Sequence, residues 1–495
     1  MKNPLRFLAS RKFWQRSVFT VACLASITAA FYLIEDYRGE AAWARYRDDA
    51  KARGVKLDFQ DFIPPPVPDE ENFAAIPIFA QLGSRDSAVQ KAAVEACKLP
   101  STANAFGNGR DGKPADLAAE SALANRLSES WGDGRAGRQM DLAAWQECFA
   151  LTGMIAARTD DPAADVLRAM ERYEPALGQL RTALSRPRSR LKSGWEKGLD
   201  ADFWHLGGHM QLSKLLGLHQ SALLSKESEA EAIADWRIQY RIAGIYKSEP
   251  TLLAGMLRAI LVNLALDSTW KGLAAERWSD DSLTEMEVQL GDVDLLADFT
   301  FAMASERAFF NLVLDQCKIS PEGFWTKLFG PGSSKNWPWE KLLPRGWIGQ
   351  NQRHFNECCD LELAGHEYAP PVASLRKHPR QYHPYWFIAD ATTFMFGNNR
   401  EICEQVQSEV DLCRVACALK RFQLANAAYP QTLNELVPGF LSAVPADRFD
   451  GRPLHYRRTD DGLVLYSTGK DCRDDGGDEE KDVAWRVSPP RTAEP

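Results

Sequence analysis

The chain has 495 residues and a mass of 55.4 kDa, more than one hydrophobic core usually holds, so two or three globular units are expected. It is 45% hydrophobic and 25% charged, which is ordinary for a folded protein. Its formal net charge is −8 and its pI is near 5.7. Because nucleic-acid binding needs a concentrated basic face, and the sequence contains no basic stripe, this charge excludes a general nucleic-acid-binding protein.

The first element is an apolar run over residues 17–34. Eighteen helical residues span about 27 Å, which is enough to cross the hydrocarbon core of a bilayer. Five basic side chains precede the run, and two acidic ones follow it: Lys2, Arg6, Arg11, Lys12, Arg16, then Glu35 and Asp36. By the positive-inside rule, residues 1–16 form a cytoplasmic basic segment, and residues 17–34 form a transmembrane signal anchor with the bulk of the chain outside.

Two alternatives to an uncleaved anchor remain open. Thr28-Ala29-Ala30 is an acceptable cleavage site for a secretory signal, and Cys23 stands where a lipoprotein cysteine would. The apolar run continues past both positions to Ile34, so we favour the uncleaved anchor.

Residues 35–83 are predicted to hold a charged juxtamembrane helix over 38–53 and then a stiff proline-rich spacer over 63–68. Residues 84–395 are predicted to form a helical domain, either an irregular bundle or solenoid-like, whose stretch 318–395 shows little regular structure. Helices are predicted over 141–157, 162–184, 230–246, 252–266 and 295–314, with a capping box at 282–285. The nearly all-apolar segment 252–266 is too short to span a membrane and is interpreted as a buried core helix.

Ten cysteines occur, without a Cys-x-x-Cys pair, so a zinc ribbon or a thioredoxin-like motif has no support. We interpret most of them as small buried apolar residues, with one or two disulfides left open.

Residues 396–495 are predicted to form a small α+β domain. A helix runs over 402–426, Thr432 to Glu435 reads as a capping box, and a β-hairpin joins 454–457 to 463–467 through an Asp-Gly turn. Because helices predominate in the segments before this domain, the fold class predicted for the whole chain is mainly α.

Several short motifs follow one another in this last domain: Tyr429-Pro430-Gln431-Thr432-Leu433, Val444-Pro445-Ala446-Asp447, Gly451-Arg452-Pro453-Leu454-His455-Tyr456 and Leu465-Tyr466-Ser467-Thr468-Gly469-Lys470-Asp471. Their order resembles the globular part of the major pseudopilin of type II secretion over about residues 410–486. The whole layout, including Pro64-Pro65-Pro66-Val67-Pro68-Asp69-Glu70, resembles uncharacterised single-pass bacterial envelope proteins with such a tail. The resemblance implies a bacterial inner-membrane protein with its bulk in the periplasm, and envelope or secretion proteins as partners.

Two departures from the pseudopilin pattern argue against assembly into a filament. The apolar helix lies nearly four hundred residues upstream of the matching domain, and Val18-Phe19-Thr20-Val21 lacks the glutamate that follows a pseudopilin processing site.

The loop after the hairpin is strongly acidic. Between Gly469 and Asp482 lie seven acidic and three basic side chains, a net charge of −4, with Gly476-Gly477 giving backbone freedom. Calcium prefers six to eight oxygen ligands, so this loop is a candidate calcium site. The resemblance implies Asp471, Glu480 and Asp482 as ligands, with Asp474 and Asp475 as alternates.

His205 and His209 lie four residues apart, a spacing that holds zinc on a helix. Gly207 and Gly208 weaken such a helix, and no third ligand is evident. We therefore favour a membrane-anchored interaction or scaffold protein over an enzyme, with calcium as its structural metal. The alternative is an envelope metal-dependent hydrolase with its site in the helical domain around these histidines.

Overall fold

The computed structural model describes residues 11–102, 117–132, 134–201, 206–319, 343–364, 385–386, 388–389, 399–459, 462–478 and 480–487. It is mainly helical, with one small three-stranded sheet and a long apolar N-terminal helix, as predicted. The helices are α1 Arg11–Ala52, α2 Pro77–Leu82, α3 Ser87–Glu95, α4 Leu117–Glu129, α5 Leu142–Leu151, α6 Pro162–Met170, α7 Glu174–Ala183, α8 Leu206–Ser225, α9 Glu229–Gly244, α10 Leu252–Ala274, α11 Asp280–Gly291, α12 Leu295–Ile319, α13 Arg345–Leu363 and α14 Asn399–Asn426. The strands are β1 His455–Thr459, β2 Gly462–Ser467 and β3 Val483–Val487.

The chain divides into two compact units. The first unit comprises the described residues within Met1–Phe62, Ala304–Ala364 and Lys377–Phe396, and the second comprises those within Ile63–Met303, Gly365–Arg376 and Gly397–Pro495. Each unit is assembled from separate stretches of the chain, whereas each domain predicted from the sequence is one continuous stretch. The limits of the predicted domains therefore stay predictions. Residues 63–68, the predicted spacer, are non-helical as expected and begin at the boundary between the units.

In the first unit, α1 is one continuous helix of 42 residues. The predicted juxtamembrane helix is therefore the continuation of the apolar helix and not a separate element. An 18-residue window of α1 has a mean hydropathy of 2.0 and is 0% buried within the protein. The helix is long and apolar enough to cross a membrane.

The second half of α1 packs against α13, which corrects the prediction of little regular structure over 318–395. The backbones nearly touch at two glycines, because a Cβ on Gly39 would lie 1.8 Å from the carbonyl oxygen of Gly346. Farther along, the Tyr46 hydroxyl donates to an Asp360 carboxylate oxygen at 2.8 Å, and Arg53 pairs with the same oxygen at 2.8 Å. The two helices therefore run in the same direction.

The second unit is built on α8, α9 and α10, which pack against one another. The interior is apolar, with Trp236, Leu212 and Leu266 fully buried. Helix α10 has 23 residues and is long enough to cross a membrane, so the length argument from the sequence is wrong. Its most apolar window has a mean hydropathy of 1.4 and is 67% buried, and this burial confirms the interpretation as a core helix.

The helix limits in the second unit agree only in part with the prediction. Asp161 caps α6 by accepting from the amide of Ala164. The segment predicted as one helix over 162–184 is instead two helices joined by a 3-10 turn, because Pro175 lies in the first turn of α7. The capping box predicted at 282–285 is wrong by one turn, since Ser279 caps α11.

The C-terminal residues belong to the second unit. α14 packs against α10 and α11, and the pair Arg414–Glu287 at 3.0 Å joins α14 to α11. The sheet has the order β1-β2-β3, and both pairs are antiparallel. The predicted hairpin is confirmed as the β1–β2 pair, with its turn at 460–461 outside the described residues.

Seven of the ten cysteines are buried, and no disulfide joins any two of them in the described residues. The prediction that most are small buried apolar residues is confirmed.

Candidate functional site

The acidic loop connects β2 to β3, and Asp447 fixes its beginning. This carboxylate is fully buried and accepts four hydrogen bonds within 3.0 Å, from the Phe449 and Thr468 amides and from the Ser467 and Thr468 hydroxyls. Such a set satisfies a buried carboxylate without an ion pair. Asp447, the last residue of the Val444-Pro445-Ala446-Asp447 motif, therefore holds the backbone at the end of β2 in place through hydrogen bonds.

Several exposed acidic side chains of the loop already have partners. Asp471 accepts from the Arg473 amide at 3.1 Å, and Asp475 pairs with Lys481 at 3.0 Å. Asp474 accepts from the Gly476 amide at 2.9 Å and from the Tyr466 hydroxyl at 2.9 Å. These two bonds hold the pKa of Asp474 below its usual value. The alternates Asp474 and Asp475 are thus engaged in holding the loop.

Asp482 is the exception. It is 3% exposed, and its Oδ2 accepts from the Gly477 amide at 2.7 Å. Its Oδ1 is buried and has no hydrogen-bond partner among the described residues. Burial raises the pKa of Asp482. The backbone amides of Gly477 and Asp475 oppose this rise, and the charges of Asp475 and Asp474 add to it. A buried, unbonded carboxylate oxygen in an acidic loop is the feature that a cation would satisfy.

The structure does not gather the predicted ligands into one cluster. Glu480 is exposed, as is Asp471, whereas Asp482 is buried. Within the described residues, no group of three or more His, Cys, Asp or Glu side chains is arranged to hold a metal ion. Glu479 lies outside those residues. The three-carboxylate calcium site therefore stays a prediction, with one carboxylate oxygen, Asp482 Oδ1, that fits it.

The predicted histidine pair is only half described, because His205 lies outside the described residues. His209 is fully buried, and its Nδ1 is hydrogen-bonded to the Tyr246 hydroxyl. Its ring also packs edge-on against Phe79, with the ring centroids 4.5 Å apart. These contacts place His209 in the core of the second unit.

Sequence reasoning missed a buried carboxyl group at Glu249, which lies between the helices predicted over 230–246 and 252–266. Glu249 is 3% exposed, and its Oε2 accepts from Trp195 Nε1 at 2.7 Å and from the Ser193 hydroxyl at 3.1 Å. Burial raises the pKa of Glu249 to about 7, against the opposing effect of these hydrogen bonds. A glutamate beside a helix-breaking proline carries no sequence signal for such burial.

Sequence reasoning also missed a buried pair formed by His219 and Asp235. His219 belongs to a helical face that is otherwise apolar, yet its Nδ1 lies 2.5 Å from Asp235 Oδ2. Asp235 is 1% exposed, and Arg181 lies 3.7 Å from its other oxygen. A histidine at helical spacing with leucines does not reveal, in the sequence, a partner on the next helix.

Comparisons with protein-family models, curated proteins and solved structures found no match for this chain.

Proposed function

We propose that this protein is a membrane-anchored interaction or scaffold protein of the bacterial envelope, secretion-associated and extracytoplasmic in its bulk. The observation that carries the proposal is the contrast between α1 and α10. Both are long and apolar, yet the apolar window of α1 is 0% buried and that of α10 is 67% buried. An apolar helix surface that the protein itself leaves uncovered is stable in a bilayer, not in water.

The charge distribution supports the orientation. Basic residues precede the apolar run, which favours a cytoplasmic N-terminus, and the remaining 460 or so residues then lie on the other side. The resemblance of the C-terminal motifs to the major pseudopilin supports a bacterial inner membrane and secretion or envelope proteins as partners.

The packing of α14 supports a fixed scaffold over a filament subunit. Most of its residues between Val406 and Lys420 are buried, and α10 and α11 contact it. Trp485 of β3 lies against Trp270 of α10 with a ring-centroid distance of 5.7 Å. A helix enclosed in this way offers little surface for packing against neighbouring subunits. No specific observation favours the hydrolase alternative.

Protease treatment of intact spheroplasts tests the topology. We expect added protease to degrade the bulk of the full-length chain, and alkaline carbonate to leave the chain in the membrane pellet. Replacing Ala22 and Leu24 by arginine should release the protein from the membrane, because each charge costs about 3 kcal/mol at the bilayer centre. A chain that is protected in spheroplasts and degraded only after lysis would contradict the orientation, and one that fractionates as soluble would contradict the anchor.

We also propose that the acidic loop binds calcium with Asp482 as its buried ligand. The support is the unbonded Oδ1 of Asp482 and the net charge of −4 between Gly469 and Asp482. Calcium supplies a fixed positive charge that offsets the cost of burying the carboxylate, so binding would stabilise the second unit by ligand linkage.

Melting of the full-length protein in detergent tests this site. At a free calcium concentration about a hundredfold above the dissociation constant, we expect a gain of about 2.7 kcal/mol over the chelated protein. Asp482→Asn should abolish the gain, yet it should not destabilise the chelated protein, because it removes a buried charge. Asp281→Asn, at an exposed position of α11, is the control. Equal melting temperatures of the wild type in calcium and in chelator would refute the site.

A further inference from the structure

The acidic residues that directly follow the apolar run are turned toward the protein. Glu35 is 8% exposed, and it accepts from Arg38 at 2.7 Å and from Trp347 Nε1 at 3.1 Å. Asp36 accepts from the backbone amide of Gly346 at 2.8 Å. The negative charges at this level of α1 are therefore bonded to α13 and to Arg38.

The helix crossing fixes the start of α13 at the same level. A Cβ on Gly346 would lie 1.9 Å from the carbonyl oxygen of Glu35, so the backbones are in direct contact one residue after the apolar run ends. α1 continues through this point without a break. Because the two helices run in the same direction from here, the first turn of α13 lies beside the end of the apolar run and its last turn lies far from it.

The surface exposed at this level holds aromatic side chains and two arginines, of which Arg38 is paired with Glu35. Tyr37 is 77% exposed, the side chain of Arg38 is 53% exposed, and Arg345 is exposed. Trp347 is half-buried beside Tyr385, with the ring centroids 6.3 Å apart. Tyrosine and tryptophan are enriched at membrane–water interfaces, and arginine binds phosphate through charge-assisted hydrogen bonds.

We propose that this surface, formed by Tyr37, Arg38, Arg345, Trp347 and Tyr385, is seated on the phospholipid headgroups of the bilayer that α1 spans. The inference rests on the proposed anchoring of α1. A bilayer is the occupant because the surface is continuous with the apolar run and lies within about one helical turn of Ile34. The arginines contact lipid phosphates, and the aromatic rings lie at the headgroup level. The first unit is thereby held against the membrane at a second place besides the span itself.

Site-specific photo-crosslinking of the full-length protein in phosphatidylethanolamine and phosphatidylglycerol liposomes tests the proposal. The photoreactive residue p-benzoylphenylalanine replaces Arg345, or in a second variant Tyr37, where one exposed aromatic residue replaces another. Leu361, which is 51% exposed near the end of the same helix, is the matched control, about 24 Å from Arg345 along the axis. Ile27, which is 66% exposed within the apolar run, reports on the anchor.

We expect lipid adducts at positions 27, 37 and 345, with at least a tenfold lower yield at 361. Adducts at 27 with none at 37 and 345 would overturn the headgroup contact while leaving the anchor intact. Equal yields at 345 and 361 would also overturn it, because they would show no level-specific contact. No adduct at 27 would overturn the anchor, and with it the contact that depends on it.

Discussion

Gly346→Ala is expected to separate α13 from α1. The added Cβ would lie 1.9 Å from the carbonyl oxygen of Glu35 and 2.6 Å from the Cα of Asp36, and neither backbone atom can move as a flexible side chain would. Overpacking usually costs about 1–3 kcal/mol, and a clash between two backbones lies at or above the upper end. A loss of about 3 kcal/mol makes local opening about a hundredfold more frequent.

Hydrogen exchange of the full-length protein in detergent measures this effect. Amides in 35–52 and in Arg345–Leu363 should exchange about a hundredfold faster in the variant, whereas those in Glu229–Gly244 of the second unit should not change. Gly349→Ala should give a smaller effect, because its Cβ would lie 2.8 Å from the Gly39 carbonyl oxygen. Gly178→Ala, in α7 with nothing within 4 Å of the added atom, is the control. Unchanged exchange in the Gly346→Ala variant would show that the crossing is not formed.

The same crossing explains why the sequence did not reveal α13. Helix prediction depends on an apolar stripe, but the buried face of α13 is made largely of glycine and amide side chains, including Gly346, Gly349, Asn351, Gln352 and Asn356. Asn356 bonds Asn311 at 2.8 Å, and Gln352 bonds Asp315 at 2.9 Å. A helix that packs through backbone contact and amide hydrogen bonds resembles a loop in composition.

Elements whose interacting residues lie close together in the sequence could be predicted. The capping box at Thr432 and Glu435 is present as expected, because each of its two hydrogen bonds joins residues three apart in the chain. The β1–β2 hairpin was found for the same reason, since alternation and an Asp-Gly turn lie within about ten residues. β3 was not predicted as a strand. Its partner strand lies far away in the sequence, because Trp485 pairs with Leu465, 20 residues earlier.

The candidate site was predictable only in its composition. Seven acidic residues mark the loop, but the sequence does not say which of them are already bonded. Asp474 is held by Tyr466 and Asp475 by Lys481, whereas Asp482 keeps a buried oxygen without a hydrogen-bond partner among the described residues. That distinction depends on the fold of the loop against the sheet.

Glu249 is expected to make the stability of the second unit depend on pH. Its folded-state pKa of about 7 is higher than the value of 4.5 expected when the chain is unfolded, so the folded state binds the proton more tightly. The stabilisation is complete below about pH 4.5, declines as the pH rises, and is lost above about pH 7. The shift corresponds to about 3 kcal/mol, because one pKa unit is worth about 1.4 kcal/mol.

Thermal melting of the full-length protein between pH 4.5 and 8 isolates this contribution when the wild type is compared with Glu249→Gln. The amide has nearly the shape of the protonated carboxyl group and does not titrate, so the variant should lose about 3 kcal/mol less stability across this range. Glu231→Gln, at an exposed position of α9, should follow the wild type. If Glu249→Gln shows the full wild-type decline, the carboxyl group is not the source, and its burial between Trp195 and Ser193 does not raise its pKa.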